Sequence, residues 1–223
     1  MIRVFIGYDQ REKIAFNVLV HSIISNSSVP VSIIPVARNH IKHIYDKPVG
    51  ENESTEFSMT RFLVPYLSNY EGWSIFMDCD MVNTSDIKQL WDLRDEKYSV
   101  MCVKHDYEPS TNYKFLDQKQ TKYKKKNWSS VMLFNNRKCK SLTPESVIEN
   151  NGLYLHQFKW LEDEKLIGSL PTEWNFLVGE HIVNQSILPS LIHFTLGGPW
   201  FKEYESCDYS NIWFSYLNQI QKR

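Results

Sequence analysis

The order strand, helix, strand at the start of the chain constrains the fold more than any other feature. Residues 2–6 form a short apolar run closed by Gly7. Residues 12–25 carry Ile14, Val18, Leu19 and Ile23 at helical spacing, and residues 31–36 are a second apolar run. Such a unit pairs its two strands in parallel, with the helix crossing one face. Further strand signals lie at 73–77, 99–103, 131–134 and 191–194. The pattern predicts an α/β fold with a mixed, mainly parallel sheet flanked by helices. Helices are predicted over 57–67, from a Thr84 or Ser85 cap to about 93, from Thr143-Pro144-Glu145, over 153–161 and over 209–220. Residues 39–56 read as loop with one short helix near 41–45. The chain has 223 residues, 42% hydrophobic and 23% charged, which is enough for one core, and 1–223 is expected to be a single domain.

Composition narrows the function classes. A formal net charge of −1 argues against a dedicated nucleic-acid binder. The four cysteines show no paired short spacing, so neither a zinc ribbon nor a redox pair is written here, and a reducing compartment fits them. Aromatic residues reach 14%, most of them expected in the core and some free to stack on a sugar or base. The N-terminus lacks the long apolar stretch of a signal peptide, and no run approaches the ~20 apolar residues of a membrane span. A cytoplasmic protein is expected. Between 104 and 127 the pattern breaks, with Lys114, Lys119, Lys122, Lys124, Lys125 and Lys126 and little apolar periodicity. Three readings stay open: a solvated loop, a lid over a diphosphate, and a patch giving weak peripheral contact with anionic lipid or glycan.

The chemistry concentrates at Asp78-Cys79-Asp80, which ends the apolar run from Trp73. Ligands bind at the carboxyl edge of open parallel sheets, and residues two apart on a strand share a face. Two carboxylates there suit a hard cation, Mn²⁺ or Mg²⁺, together with substrate phosphates. The same triplet also matches the nucleophile loop of haloacid-dehalogenase-like phosphatases, with Asp78 attacking phosphorus. That family opens with this loop, whereas here a complete strand-helix-strand unit precedes it. A nucleotidyltransferase would carry a glycine-rich, lysine-containing loop after the first strand, and residues 7–11 hold one glycine.

Five segments together resemble the GT-A glycosyltransferases, most closely glycosyltransferase family 8. They are Val4-Phe5-Ile6-Gly7-Tyr8-Asp9, Ser58-Met59-Thr60-Arg61-Phe62-Leu63-Val64-Pro65, Asp78-Cys79-Asp80, Ser129-Ser130-Val131-Met132-Leu133-Phe134-Asn135, and Ile192-His193-Phe194-Thr195-Leu196-Gly197-Gly198-Pro199-Trp200. The resemblance implies a metal held by Asp78, Asp80 and His193. It implies nucleotide contacts from Gly7, Tyr8 and Asp9, and an Arg61 that reaches the diphosphate or sugar. Donor contacts from Ser129, Ser130 and Gly197 follow from it as well. Three positions depart from the family pattern, the first being Trp128, which stands where an asparagine is expected before Ser129. Gly198 stands where a phosphate-binding lysine is expected. His156-Gln157-Phe158 stands where a carboxylate is expected near the anomeric carbon, leaving Gln157 beside the sugar and the stereochemical outcome open.

The resulting expectation is a metal-dependent hexosyltransferase-like enzyme, with Asp80, Arg61 and Gln157 as its catalytic group. It would move a sugar from a nucleotide-diphosphate sugar, UDP-linked by the resemblance, to a sugar, lipid or protein acceptor. The alternative from another class is a non-catalytic nucleotide-sugar binding protein.

Overall fold

A computed structural model describes residues 1–50, 53–106, 124–184 and 186–222. Strand β1 (Ile2–Gly7), helix α1 (Lys13–Asn26) and strand β2 (Val31–Val36) form the expected unit, and β1 pairs with β2 in parallel from Ile2↔Val31 to Gly7↔Val36. Strand β3 (Trp73–Met77) adds to the other side of β1, also parallel, with Ile6 opposite Met77. Strands β5 (Val100–Cys102), β6 (Val131–Asn135) and β7 (Ile167–Ser169) complete a sheet of order β2-β1-β3-β6-β5-β7. Strand β6 runs antiparallel to both β3 and β5, and β7 is parallel to β5. The central strands are buried on both faces, which is why they read as unbroken apolar runs rather than alternating ones.

A second sheet was not foreseen. Strands β4 (Met81–Asn83), β8 (Phe176–Leu177) and β9 (Leu191–His193) pair in the order β4-β9-β8. Pieces of two and three residues are too short to show any periodicity.

The helices correct several expectations. Over 57–67 the structure has a 3₁₀ turn at Thr60–Leu63 and then α2 (Val64–Leu67), with Pro65 in its first turn. Residues 57–65 are all buried, so packing on every side sets the path there, not an amphipathic stripe. Near 41–45 a single helical turn forms, with Tyr45 N–H donating to the Ile41 carbonyl at 2.9 Å, after a 3₁₀ turn at Arg38–His40. Helix α3 (Ile87–Asp92) is capped by Asp86, whose carboxylate accepts from Lys88 N at 3.0 Å, and not by Thr84 or Ser85. Those two are taken by residues 189–190, with Thr84 N donating to Ser190 O and Ser85 Oγ to Ser190 Oγ. Helix α4 (Pro144–Glu149) starts as expected, with Thr143 accepting from Ser146 N. Helix α5 (Gly152–His156) stops well short of 161 because Phe158 adopts φ 58° and turns its ring between Trp128 and Trp160. Helix α6 (Ser210–Gln221) closes the chain and packs on α1. None of the described helices is long and apolar enough to cross a membrane.

Candidate metal and donor site

Parallel pairing brings the ends of β1 and β3 to one edge, and antiparallel β6 brings its beginning there. Gly7, Tyr8, Asp9, Asp78, Ser129 and Ser130 therefore share that edge. Asp78 N–H donates to Ser130 O at 2.9 Å. The strand itself stops at Met77 and the chain bends at 79–80, so the carboxylates do not converge by strand alternation. The second sheet brings them together. Met81 pairs with His193, and Phe194 N–H donates to Asp80 O at 2.9 Å. One ligand atom from each of Asp78, Asp80 and His193 lies within 4.8 Å of the other two.

The network behind these residues selects the histidine tautomer. The Asn127 carbonyl can only accept, so the Asn175 amide must turn its Nδ2 toward it, at 3.1 Å. Asn175 Nδ2 also donates to Ser130 Oγ at 2.8 Å, and Ser130 Oγ donates to Asn127 O at 2.6 Å. Asn175 Oδ1 is then left facing His193 Nδ1 at 2.9 Å and requires a hydrogen on that nitrogen. In the neutral ring Nε2 carries the lone pair, and it faces Asp80 Oδ1 at 3.3 Å. With the other ring nitrogen pinned, a neutral His193 would offer Nε2 beside the two carboxylates to a divalent cation. The residues present fit Mn²⁺ or Mg²⁺.

Arg61 is buried at 5% exposure. Its Nη1 sits 2.7 Å from Asp78 Oδ1 and donates to Ser129 O at 3.0 Å. Its Nε donates to Ser58 O, and its plane lies 5.2 Å from the rings of Phe57 and Phe76. Arg61 thus fixes Asp78. Beneath the pair, Cys79 Sγ lies 3.8 Å from Glu12 Oε2, and Glu12 is 1% exposed. Burial, then the charges of Asp80 and Asp9, pushes the Glu12 carboxyl well above the usual range. Nothing in the sequence pattern marked Glu12. Asn175 had one signal, its place in Leu170-Pro171-Thr172-Glu173-Trp174-Asn175, which is similar to a Leu-Pro…Asn segment of the family 8 transferases.

The remaining expected residues fall around this centre with varied partners. Asp9 is fully buried and accepts from Arg11 N and Nε at 2.9 Å and from Glu56 N at 3.1 Å. Burial alone would raise its carboxyl, but these bonds outweigh it and hold Asp9 below its ordinary value. Tyr8 is half-buried and edge-on to Phe16 at 5.3 Å. A side chain at Gly7 would collide with the Phe57 ring. Ser129 Oγ pairs with His156 Nδ1 at 2.7 Å. Gln157 ends α5, and its carbonyl takes Lys125 Nζ at 3.0 Å. Gly197 adopts φ 134° in the turn that follows β9. Any side chain at Gly198 would enter the Trp200 ring, a steric reason for the missing lysine. Of the lysine-rich stretch, Lys114, Lys119 and Lys122 lie outside the described residues. Lys125 also pairs with Glu164, Lys126 is buried and Lys124 is exposed. His105 stacks near His181 at 5.2 Å; burial, then the neighbouring His181 and His193, lowers its pKa to about 3.

The chain is 45% identical over 227 residues to Protein CDI of Arabidopsis thaliana, a match that covers 99% of this chain and 87% of that protein. No family model matches the chain. Among solved structures it is similar to the WbbM bifunctional glycosyltransferase, with TM-score 0.62 and 15% identity over 97% of this chain and 49% of that one. The glycosyltransferase GlyE of Streptococcus pneumoniae TIGR4 matches with TM-score 0.64 and 14% identity, covering 96% and 59%. Galactosyltransferase LgtC, solved with donor and acceptor sugar analogues, matches with TM-score 0.62 and 9% identity, covering 100% and 97%. The chain therefore spans about half the length of WbbM and three-fifths of GlyE, and nearly all of LgtC. Identities this low establish the fold alone, and it is the GT-A fold of the glycosyltransferases, as the sequence led us to expect.

Proposed function

Because the chain belongs to the family of Arabidopsis thaliana Protein CDI and has the GT-A glycosyltransferase fold, we propose that it is a metal-dependent glycosyltransferase of the family 8 type. It takes a nucleotide-diphosphate sugar, most simply a UDP-sugar, and passes the sugar to a sugar, lipid or protein acceptor. The observation that carries this reading is the convergence of Asp78, Asp80 and His193, with Nδ1 of the histidine held by Asn175 and Nε2 turned toward Asp80. These three residues would hold Mn²⁺ or Mg²⁺. A divalent ion bound there would offset the negative charge that accumulates on a leaving diphosphate.

The chain's own residues supply the rest. Arg61 pins Asp78 from behind, and Asn175 pins His193, so the donor set stands ready before substrate arrives. Asp9 orders the turn after β1 through Arg11 and Glu56, which leaves Tyr8 and the backbone beside Gly7 to meet the base. Ser129, Ser130 and Gly197 line the edge where the sugar would lie, and Gln157 is the polar group proposed beside the anomeric carbon. The whole chain acts as one unit, its first half gripping the donor and its second half facing the acceptor.

The test is release of nucleoside diphosphate from a panel of UDP- and GDP-sugars with and without Mn²⁺, beside a thermal-shift series with UDP. UDP with Mn²⁺ at a hundred times its Kd should stabilise the fold by about 2.7 kcal/mol, and either component alone by much less. Asp80→Asn should abolish that synergy and lower turnover by about a hundredfold or more. Turnover that survives both chelator and Asp80→Asn would sink the proposal.

A further inference from the structure

A second pocket opens at the same sheet edge, past the end of β2. It encloses about 390 Å³, and Arg38, Asn39, Lys42 and Tyr45 are among its walls. Glu56, whose backbone N–H donates to Asp9, also lines it, so the pocket adjoins the turn after β1. β2 and β3 flank β1, which puts their ends about 10 Å apart at ordinary strand spacing. The pocket and the Asp78–Asp80–His193 cluster share no residue.

Arg38 is unusual in what it lacks. Its side chain is only 15% exposed, and its guanidinium lies over the Tyr45 ring at 5.2 Å. Neither Nη atom makes a hydrogen bond. Its ion-pair partner, Glu53, holds Oε2 at 3.8 Å, beyond hydrogen-bond reach, and uses Oε1 to accept from Gly50 N. Tyr45 is 1% exposed, and its hydroxyl likewise has no partner. Burial, then the charge of Glu53, pushes the Tyr45 phenol up to about 12, so it remains an O–H donor at neutral pH. Buried donors without acceptors are costly, and a guanidinium fork matches the paired oxygens of a carboxylate or phosphate. Lys42 adds an exposed positive charge at the rim, 3.8 Å from Asp46. Lys47 lines the pocket too but donates to the Ile148 carbonyl. With Asp46 and Glu56 also present, net charge is not the selective element. The unfilled hydrogen-bonding capacity of Arg38 and Tyr45 is.

We infer that this pocket binds an oxyanion, the phosphate or carboxylate group of a substrate, with Arg38 gripping two oxygens and the Tyr45 hydroxyl donating to the same group. The inference goes beyond the proposed transferase activity and does not depend on the metal. Within that activity it would favour substrates that carry such a group.

The experiment is calorimetric titration of the full chain, at constant ionic strength in chloride, with inorganic phosphate, with glucuronate and with glucose. At least one of the two anions is expected to bind and glucose is not; the preferred anion identifies the group. Arg38→Gln should weaken that binding about tenfold and Tyr45→Phe about threefold. Lys222→Gln, an equal charge change at the exposed end of α6, should leave it unaltered. Binding of neither anion above glucose overturns the inference, as does equal affinity in the wild type and Arg38→Gln. Should Arg38→Gln lose its cooperative thermal transition, Tyr45→Phe and Lys42→Gln decide: unchanged affinity in both overturns it. Mn²⁺ affinity should stay at the wild-type level in these variants, so failure here leaves the proposed function standing.

Discussion

Asn175 shows how much a residue that touches no substrate can govern. Its amide cannot flip, because the Asn127 carbonyl accepts from one end and His193 Nδ1 donates to the other. Replacing it with leucine frees the imidazole to rotate and to change tautomer. Asn175→Leu is expected to weaken Mn²⁺ binding about 10- to 100-fold, measured from the free-Mn²⁺ EPR signal, and Asn175→Asp, which keeps an acceptor toward His193, should recover part of the loss. Wild-type Mn²⁺ affinity in the leucine variant would refute the role. His105 makes a prediction about pH. Its folded pKa, about 3, lies below the ordinary 6.5, so between those values the unfolded chain binds more protons than the native one. The stability linked to neutral His105 is therefore complete above about pH 6.5 and drains away as the pH falls toward 3. On going from pH 7 to pH 4.5, His105→Gln should lose up to about 2 kcal/mol less stability than wild type by urea unfolding. Equal losses in the two proteins would mean that His105 is not held neutral.

At the scale of elements, the pairing of β4 with β9 decides the site. It takes two three-residue strands and sets Met81 opposite His193, which delivers the histidine to Asp80 from more than a hundred residues away. The end of β1 is equally constrained. Phe57 packs where a β-carbon at Gly7 would have to stand, and the same ring lies beside Arg61. Gly7→Ala should therefore cost about 1–3 kcal/mol in urea unfolding through overpacking. Because the displaced ring supports Arg61 and through it Asp78, Mn²⁺ affinity should fall as well. A variant as stable as wild type would show that Phe57 can step aside freely.

At the scale of the molecule, two apolar clusters among the described residues carry the architecture. The larger lies on the six-stranded sheet, and the smaller joins Val18 of α1, Val82 of β4, Ile192 of β9, Phe194 and Trp213 of α6. The small cluster packs the second sheet on α1 and α6, while Met81 and Leu191 of that sheet belong to the larger cluster. Trp213→Ala should cost about 3–5 kcal/mol and should weaken Mn²⁺ binding at temperatures where the chain is still folded, because β9 carries His193. Intact Mn²⁺ affinity in a destabilised Trp213→Ala would separate the cluster from the site. The long apolar runs, the first strand-helix-strand unit, the Thr143 cap and the acidic triplet at the edge of β3 were all legible from the chain alone. Each depends on burial or on hydrogen bonds within a few residues, and local sequence encodes both. The end of α5, the cap of α3, the second sheet, and the roles of Asn175 and Glu12 were not legible. Each depends on what lies opposite: Trp128 and Trp160 receiving Phe158, residues 189–190 occupying Thr84 and Ser85, a histidine paired across from Met81. A sequence states which groups can ligate, cap or fill a core. Only the tertiary contacts, some of them made between segments more than a hundred residues apart, select which of those capacities are used.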